Sequence, residues 1–130
     1  MTRFATMAAM LAALAAGCGG GSSGPPNGPA GVDRAQPVSG VSDADKAALC
    51  DWYSAMVGGY GTSPSCADYL ISAPPDQSIC VAAFPSCDAT VGQLADCIVA
   101  AIAAQNTCTD QSLMSVQTRS ECLAAVGCFS

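Results

Sequence analysis

The clearest helix signal in this sequence is the stretch Thr90-Val91-Gly92-Gln93-Leu94-Ala95-Asp96-Cys97-Ile98-Val99-Ala100-Ala101-Ile102, and it decides the fold class. Thr90 and Gln93 have the spacing of a capping box, in which each side chain accepts a hydrogen bond from the other residue's backbone N–H. An apolar face follows at helical spacing, made of Leu94, Cys97, Ile98, Ala101 and Ile102. Cys97 lies in the middle of this face, so we expect it to point inward toward a cysteine on another helix.

A first helix is predicted upstream of this stretch. Ser42 has the N-cap position, and Asp43 and Asp45 lie in the first turn, near the positive end of the helix dipole. Gly58-Gly59 ends the helix. Its predicted apolar stripe consists of Leu49, Tyr53, Met56 and Val57.

Shorter helices are predicted between and after these two. One begins at Ser63-Pro64 and ends at Pro74-Pro75, a second covers residues 78–84 with Asp76 as its cap, and a last segment from about Asp110 to Val126 breaks near residues 118–120, where Ser120 could start it again. Strand patterns are weak. The sequence therefore predicts an all-α fold: a small disulfide-stapled domain of four to five short helices.

Eight of the nine cysteines lie in this domain, for which we predict the bounds 41–130. An even number of cysteines in an exported sequence of this size is typical of a disulfide framework. Zinc is disfavoured because the chain has no histidine and no C-x-x-C pair, and we predict no metal site. Eight cysteines allow about a hundred pairings, among which the sequence does not choose. The predicted disulfide cysteines are Cys50, Cys66, Cys80, Cys87, Cys97, Cys108, Cys122 and Cys128.

The N-terminus has the pattern of an export signal. Arg3 supplies a positive charge, and residues 4–16 form an apolar run that is too short to span a bilayer. The run ends in Leu14-Ala15-Ala16-Gly17-Cys18, which resembles the lipobox of bacterial lipoproteins. The resemblance implies a signal peptide at residues 1–17, cleavage after Gly17 and a diacylglycerol on the Cys18 thiol. Alternatively, ordinary signal peptidase could cleave after Ala13-Leu14-Ala15 and release a soluble protein with a free Cys18 thiol.

Residues 18–40 are rich in glycine, proline and serine at their start and have no apolar periodicity. Such a stretch cannot bury a face. We therefore expect the lipidated cysteine to be followed by a disordered tether that ends at Gly40.

The residue types needed for catalysis are scarce. The chain has no histidine, and its single lysine, Lys46, is flanked by Asp43 and Asp45, which favour the charged form rather than a base. Asp43-x-Asp45 lacks the rest of a calcium loop and fits a helix start better. A net charge of −6 with four Lys+Arg argues against nucleic acid as a partner. We predict that the protein is not an enzyme and holds no cofactor.

Four aromatic residues lie close together in the sequence: Trp52, Tyr53, Tyr60 and Tyr69. Aromatic side chains with polar tips are favoured at binding surfaces. Tyr53 falls on the predicted apolar stripe and Trp52 falls off it. Two interpretations stay open: the whole cluster packs in the core, which we favour, or Tyr53 is in the core and Trp52 and Tyr60 form an exposed candidate binding surface.

Two functions are compatible with these patterns. The first is a membrane-anchored, exported lipoprotein with a non-catalytic binding or structural role at the cell envelope, whose partners are the membrane, through Cys18, and an envelope or extracellular protein. Gly19 is not the aspartate that retains lipoproteins of enteric bacteria at the inner membrane, so the resemblance implies the outer membrane or cell surface. The alternative is a small secreted effector or enzyme inhibitor that uses the loops at residues 58–64 or 72–77.

Overall fold

The computed structural model describes residues 28–62, 72–105 and 119–129, and in these ranges the fold is all-α, as predicted. The one strand-like pairing there is an isolated antiparallel bridge between Pro37 and Thr90. The predicted helix from Ser63 and most of the predicted segment after Asp110 lie outside the described residues. The helices are α1 (Asp43–Met56), α2 (Gln77–Ala82), α3 (Val91–Gln105) and α4 (Ser120–Leu123), and single 3-10 turns lie at Val38–Gly40 and Val126–Cys128.

Local capping sets the first residue of the longer helices. The Ser42 hydroxyl accepts a hydrogen bond from the backbone N–H of Asp45 at 3.2 Å, which confirms the predicted start of α1. The capping box of α3 is complete, because Thr90 and Gln93 each donate a backbone N–H to the other's side chain, at 2.9 and 3.2 Å. These caps satisfy donors that the first helical turn leaves unpaired.

The two short helices agree with the sequence less closely. Asp76 caps α2 as predicted, and its carboxylate accepts from the backbone N–H of Ile79 at 2.9 Å. Helix α4 begins at Ser120, but Arg119 has the N-cap position and no side chain caps this helix. The predicted role of Ser120 as the cap is therefore off by one residue.

Helix α3 supplies much of the core. Its buried residues are mostly small, and α1 contributes the larger Leu49 and Trp52. A core with so many alanines buries little apolar area per residue, so other constraints must hold the helices together. The buried residues of α3 are Val91, Leu94, Ala95, Cys97, Ala101, Ile102 and Ala104.

Three disulfides among the described residues supply those constraints. They join α1 to α2 (Cys50–Cys80), α3 to α4 (Cys97–Cys122), and the loop before α3 to the C-terminal 3-10 turn (Cys87–Cys128). The expectation that Cys97 points inward to another helix is confirmed. Cys66 and Cys108 lie outside the described residues. Disulfides of this kind are typical of an oxidising, exported environment.

The chain from residue 28 to residue 40, which we name the N-terminal arm, packs on the domain. Val38 is 1% exposed and belongs to the core cluster, and its backbone N–H donates to the carbonyl of Ala89 at 2.8 Å. Val32 packs against the same cluster. The expectation that the disordered tether reaches Gly40 is therefore wrong for residues 28–40.

The arm is ordered because its backbone carbonyls accept hydrogen bonds from the first N–H groups of α3. The first N–H groups of a helix have no partner within the helix. The N–H of Val91 donates to the carbonyl of Gln36 at 3.0 Å, and the N–H of Gly92 donates to the carbonyl of Arg34 at 2.8 Å. The arm thus adds to the capping of α3 that Thr90 and Gln93 provide. The amino-acid composition of the arm does not indicate that its carbonyls have these partners.

Candidate functional site

An apolar groove lies between α1, α2 and α3, with a volume of about 380 Å³. The residues 72–75 form one side, and Phe129, near the C-terminus, forms part of another. None of the described residues that line it is charged. Its volume and apolar lining fall in the range of binding pockets. The side chains that dominate the lining are Leu49, Trp52, Tyr53, Ile79, Phe84 and Phe129.

Trp52 belongs to the groove and the core, not to an exposed surface. It is 4% exposed, so core packing, the favoured interpretation, is confirmed for Trp52, and its assignment to an exposed surface with Tyr60 is wrong. At 3.6 residues per turn, the buried residues of α1 (Leu49, Cys50, Trp52 and Ser54) cover more than half of the helix circumference. The four-residue stripe predicted from the sequence was too narrow, because α1 is bridged to α2 by Cys50–Cys80 and also contributes Leu49 and Trp52 to the core cluster that contains buried residues of α3. Trp52 lies at one edge of the wider buried arc.

Tyr53 is half-buried in the groove wall, where it packs against the core as predicted. Its hydroxyl donates a hydrogen bond to the carbonyl oxygen of Ser72 at 2.7 Å. Burial raises the pKa of Tyr53 to about 12. The hydroxyl is therefore neutral at physiological pH and holds residues 72–75 against α1.

Tyr60 lies beside the groove in a small polar cluster. Its hydroxyl donates to the carboxylate of Asp51 at 2.7 Å, and the side-chain amide of Gln77 donates to both oxygens of Asp51 at 2.9 Å. Desolvation, the hydrogen bond to Asp51 and the negative charges of Asp51 and Asp76 raise the pKa of Tyr60 above its ordinary value. The structure thus connects Tyr60 to α1 and α2 through Asp51, and places Trp52 separately inside the groove wall.

The two loops that the sequence singled out as candidate contacts meet each other. The N–H of Gly61 donates to the carbonyl of Pro74 at 2.9 Å, and the Thr62 hydroxyl closes the turn by donating to the carbonyl of Gly59. Gly58 and Gly59 have φ values of 101° and 109°, which side chains rarely adopt. Residues 58–62 therefore buttress residues 72–75, which form the groove wall; positions 63 and 64 of the predicted loop lie outside the described residues.

Exposed apolar side chains mark the mouth of the groove. Ile79 is 48% exposed and Phe129 is 60% exposed, and both line the cavity. Leu123 (61%) and Val126 are also exposed, but they are not among the lining residues. Large apolar side chains that stay in contact with water beside a concave apolar surface are typical of interaction sites.

The charges next to the groove are negative. Asp51 follows Cys50, Asp76 follows Pro75, and both aspartates are exposed. Two of the described cations form ion pairs with other acids: Arg34 with Asp96 at 2.7 Å and Lys46 with Asp43 at 3.1 Å. Lys46 is thus paired near the start of α1, as the sequence suggested.

The arrangement is suited to binding an apolar group. In the part of the chain that the structure describes, no three His, Cys, Asp or Glu side chains come together as a metal site. No helix in those same ranges is long and apolar enough to cross a membrane. The sequence did not predict the groove, because its walls come from four separate segments. The advance signals for these walls were the candidate contact loop at residues 72–77 and Cys80, whose pairing with Cys50 sets α2 beside α1.

No protein-family model, curated protein or solved structure was found to match this chain.

Proposed function

We propose that this protein is an exported lipoprotein, anchored in a bacterial membrane by a lipid on Cys18, whose cysteine-stapled helical domain has a non-catalytic binding role at the cell envelope. The observation that carries the proposal is the lipobox-like sequence Leu14-Ala15-Ala16-Gly17-Cys18, followed in the same chain by a domain whose described residues form three disulfides. Export explains both features, since lipid attachment and disulfide formation both take place outside the cytosol.

The groove supports binding rather than catalysis. Its described lining offers apolar side chains and no charged group, whereas general acid–base chemistry needs a titratable group near the reacting atoms. The tyrosine in its wall, Tyr53, already donates a hydrogen bond to the backbone carbonyl oxygen of Ser72. A displayed module that captures an apolar surface accounts for the groove and for the exposed Ile79 and Phe129 at its mouth.

By the resemblance to lipoproteins alone, Gly19 after the lipidated cysteine favours the outer membrane or cell surface. The second candidate function is a small secreted effector or inhibitor, which would follow if Cys18 were not acylated. The hydrogen bond from the Gly61 N–H to the Pro74 carbonyl favours this alternative, because it restrains the two loops and a rigid loop loses little entropy on binding.

The mass of the mature protein tests the proposal. We expect a chain that starts at Cys18 with added acyl mass, and at least six thiols that react with an alkylating reagent only after reduction. In detergent phase separation the protein should enter the detergent phase, and the Cys18→Ser variant should stay in the aqueous phase with the same melting temperature.

A mature chain that starts before Cys18, has no acyl mass and carries one reactive thiol before reduction would contradict the anchor. The secreted alternative would then be the better account.

A further inference from the structure

We propose that the apolar groove binds the apolar face of a cationic amphipathic helix from a partner protein. The inference rests on the binding role proposed above and names the chemistry of the partner. Three properties of the groove carry it: the prolines and the already bonded carbonyls of Ser72 and Pro74 in its wall, the sign of the charges next to it, and the exposed side chains at its mouth.

The wall favours a helix over an extended peptide. An extended strand needs partners for its backbone N–H and C=O groups, and burying them unpaired is costly. Pro74, Pro75 and Pro85 in the wall have no N–H, and the carbonyls of Ser72 and Pro74 already accept from Tyr53 and Gly61. A helix satisfies its own backbone and presents only side chains, at i, i+3, i+4 and i+7.

The charges favour a basic partner. Asp51 and Asp76 are exposed and adjoin lining residues, and the side chain of Gln77, which follows Asp76, donates to both oxygens of Asp51 at 2.9 Å, so the two aspartates lie on the same side of the domain. The chain as a whole has a net charge of −6. An amphipathic helix with lysine or arginine flanking its apolar face would place positive charges near these carboxylates, which accelerates association and disfavours acidic partners.

The mouth of the groove provides the contact area. Ile79 on α2 and Phe129 near the C-terminus remain about half exposed or more while they line the cavity. Aromatic and aliphatic residues at the centre of an interface account for most of its binding energy. We therefore assign Ile79 and Phe129 as the side chains that a docked helix would cover.

The test uses a designed peptide and the protein's own fluorescence. The probe is a capped Lys/Leu peptide of about 18 residues, long enough to form a helix, with leucines at i, i+3, i+4 and i+7 and no tryptophan. Trp52 is the single tryptophan of the chain and lies in the groove wall, so its emission reports on occupancy. The protein is the oxidised chain with Cys18→Ser, so the result does not depend on lipid attachment.

Matched surface variants locate the binding site. Ile79→Ser and Phe129→Ser should each weaken binding by about tenfold, whereas Leu123→Ser, equally exposed but outside the lining, should leave it unchanged. Asp51→Asn combined with Asp76→Asn should weaken binding about threefold at low salt and reduce its salt dependence. Asparagine is a good N-cap, so α2 should persist, and circular dichroism checks the folding of every variant.

The proposal is overturned if a Glu/Leu peptide of the same pattern binds as well as the Lys/Leu peptide, or if Leu123→Ser weakens binding as much as Phe129→Ser. It is also overturned if a single-chain fatty acid saturates the Trp52 signal while the peptide does not, which would make the groove a lipid site. Concentration-dependent dimerisation that is abolished by Phe129→Ser would instead assign the groove to a second copy. If the peptide binds but the native protein does not enter the detergent phase, the lipid anchor is refuted and the groove proposal stands.

Discussion

The backbone N–H of Gly92 donates a hydrogen bond to the carbonyl oxygen of Arg34 at 2.8 Å, and the two backbones approach so closely there that a side chain would not fit without movement. A Cβ atom at position 92 would lie 3.1 Å from that carbonyl oxygen and 3.4 Å from the Cβ of Arg34. The arm and the first turn of α3 therefore behave as one packed unit.

Substitution of Gly92 tests this contact. Gly92→Val should lower the free energy of unfolding by about 1–3 kcal/mol through overpacking, although valine has a better helix propensity than glycine. Chemical denaturation would measure the change. Gly40→Val is the control, since no atom lies within 4 Å of a Cβ there. Equal effects of the two substitutions would contradict the docked arm.

Val38 tests the same arm through its side chain. Val38→Ala should reduce stability by about 1–3 kcal/mol because the valine is fully buried in the core. The exposed Val126 serves as the matched control, and Val126→Ala should change the melting temperature little. No loss of stability in Val38→Ala would mean that residues 28–40 do not belong to the folded domain.

The disulfides should determine whether the domain stays folded. Replacing Cys97 and Cys122 together by alanine should cost about 3 kcal/mol, because the bridge closes a loop with a sequence separation of 25 and joins α3 to α4. In strong reductant we expect the far-ultraviolet circular dichroism to fall toward that of an unfolded chain. Cys18→Ser should have no effect on the melting curve, and an unchanged spectrum in reductant would disprove the dependence on disulfides.

Asp76 should make stability depend on pH in the acid range. Hydrogen bonds from the Ser78 hydroxyl and the Ile79 N–H lower the pKa of Asp76 in the folded state. Its stabilising contribution is therefore complete above the ordinary aspartate pKa and is lost as the pH falls through the lowered value. The melting temperature of Asp76→Asn should decline less steeply in acid than that of the native protein, because asparagine does not titrate but still caps α2. At neutral pH Asp76→Ala should melt lower than Asp76→Asn, and identical profiles for all three proteins would rule out this role.

The features that the sequence predicted correctly are those with short-range causes. Capping by Ser42, Asp76 and the Thr90–Gln93 pair depends on residues three positions apart, and the inward direction of Cys97 follows from the face of its own helix. Nothing beyond one turn of helix enters those predictions, which is why the helix starts and the all-α fold class could be derived.

The features that the sequence did not predict depend on distant partners. The arm is ordered by N–H groups of α3 more than fifty positions away in the chain. Trp52 lies off the apolar stripe of its own helix, and its burial depends on α2, which the Cys50–Cys80 bridge joins to α1, and on the core cluster shared with α3. That cysteine pairing is one of many that the sequence allows. The groove likewise needs Phe129 and residues 72–75 together, and no local pattern brings them to one place.

The docked arm also has a mechanical consequence for an anchored protein. If Cys18 carries the lipid, ten residues, 18–27, lie in the chain between the anchor and the docked arm, and a fully extended stretch of that length reaches about 35 Å, against roughly 80 Å for one that ends at Gly40. A force applied through the anchor would act on the hydrogen bonds between the arm and α3, in which the carbonyls of Arg34 and Gln36 accept from α3 N–H groups. The docked arm would therefore limit the distance between the membrane surface and the start of the folded domain to about 35 Å.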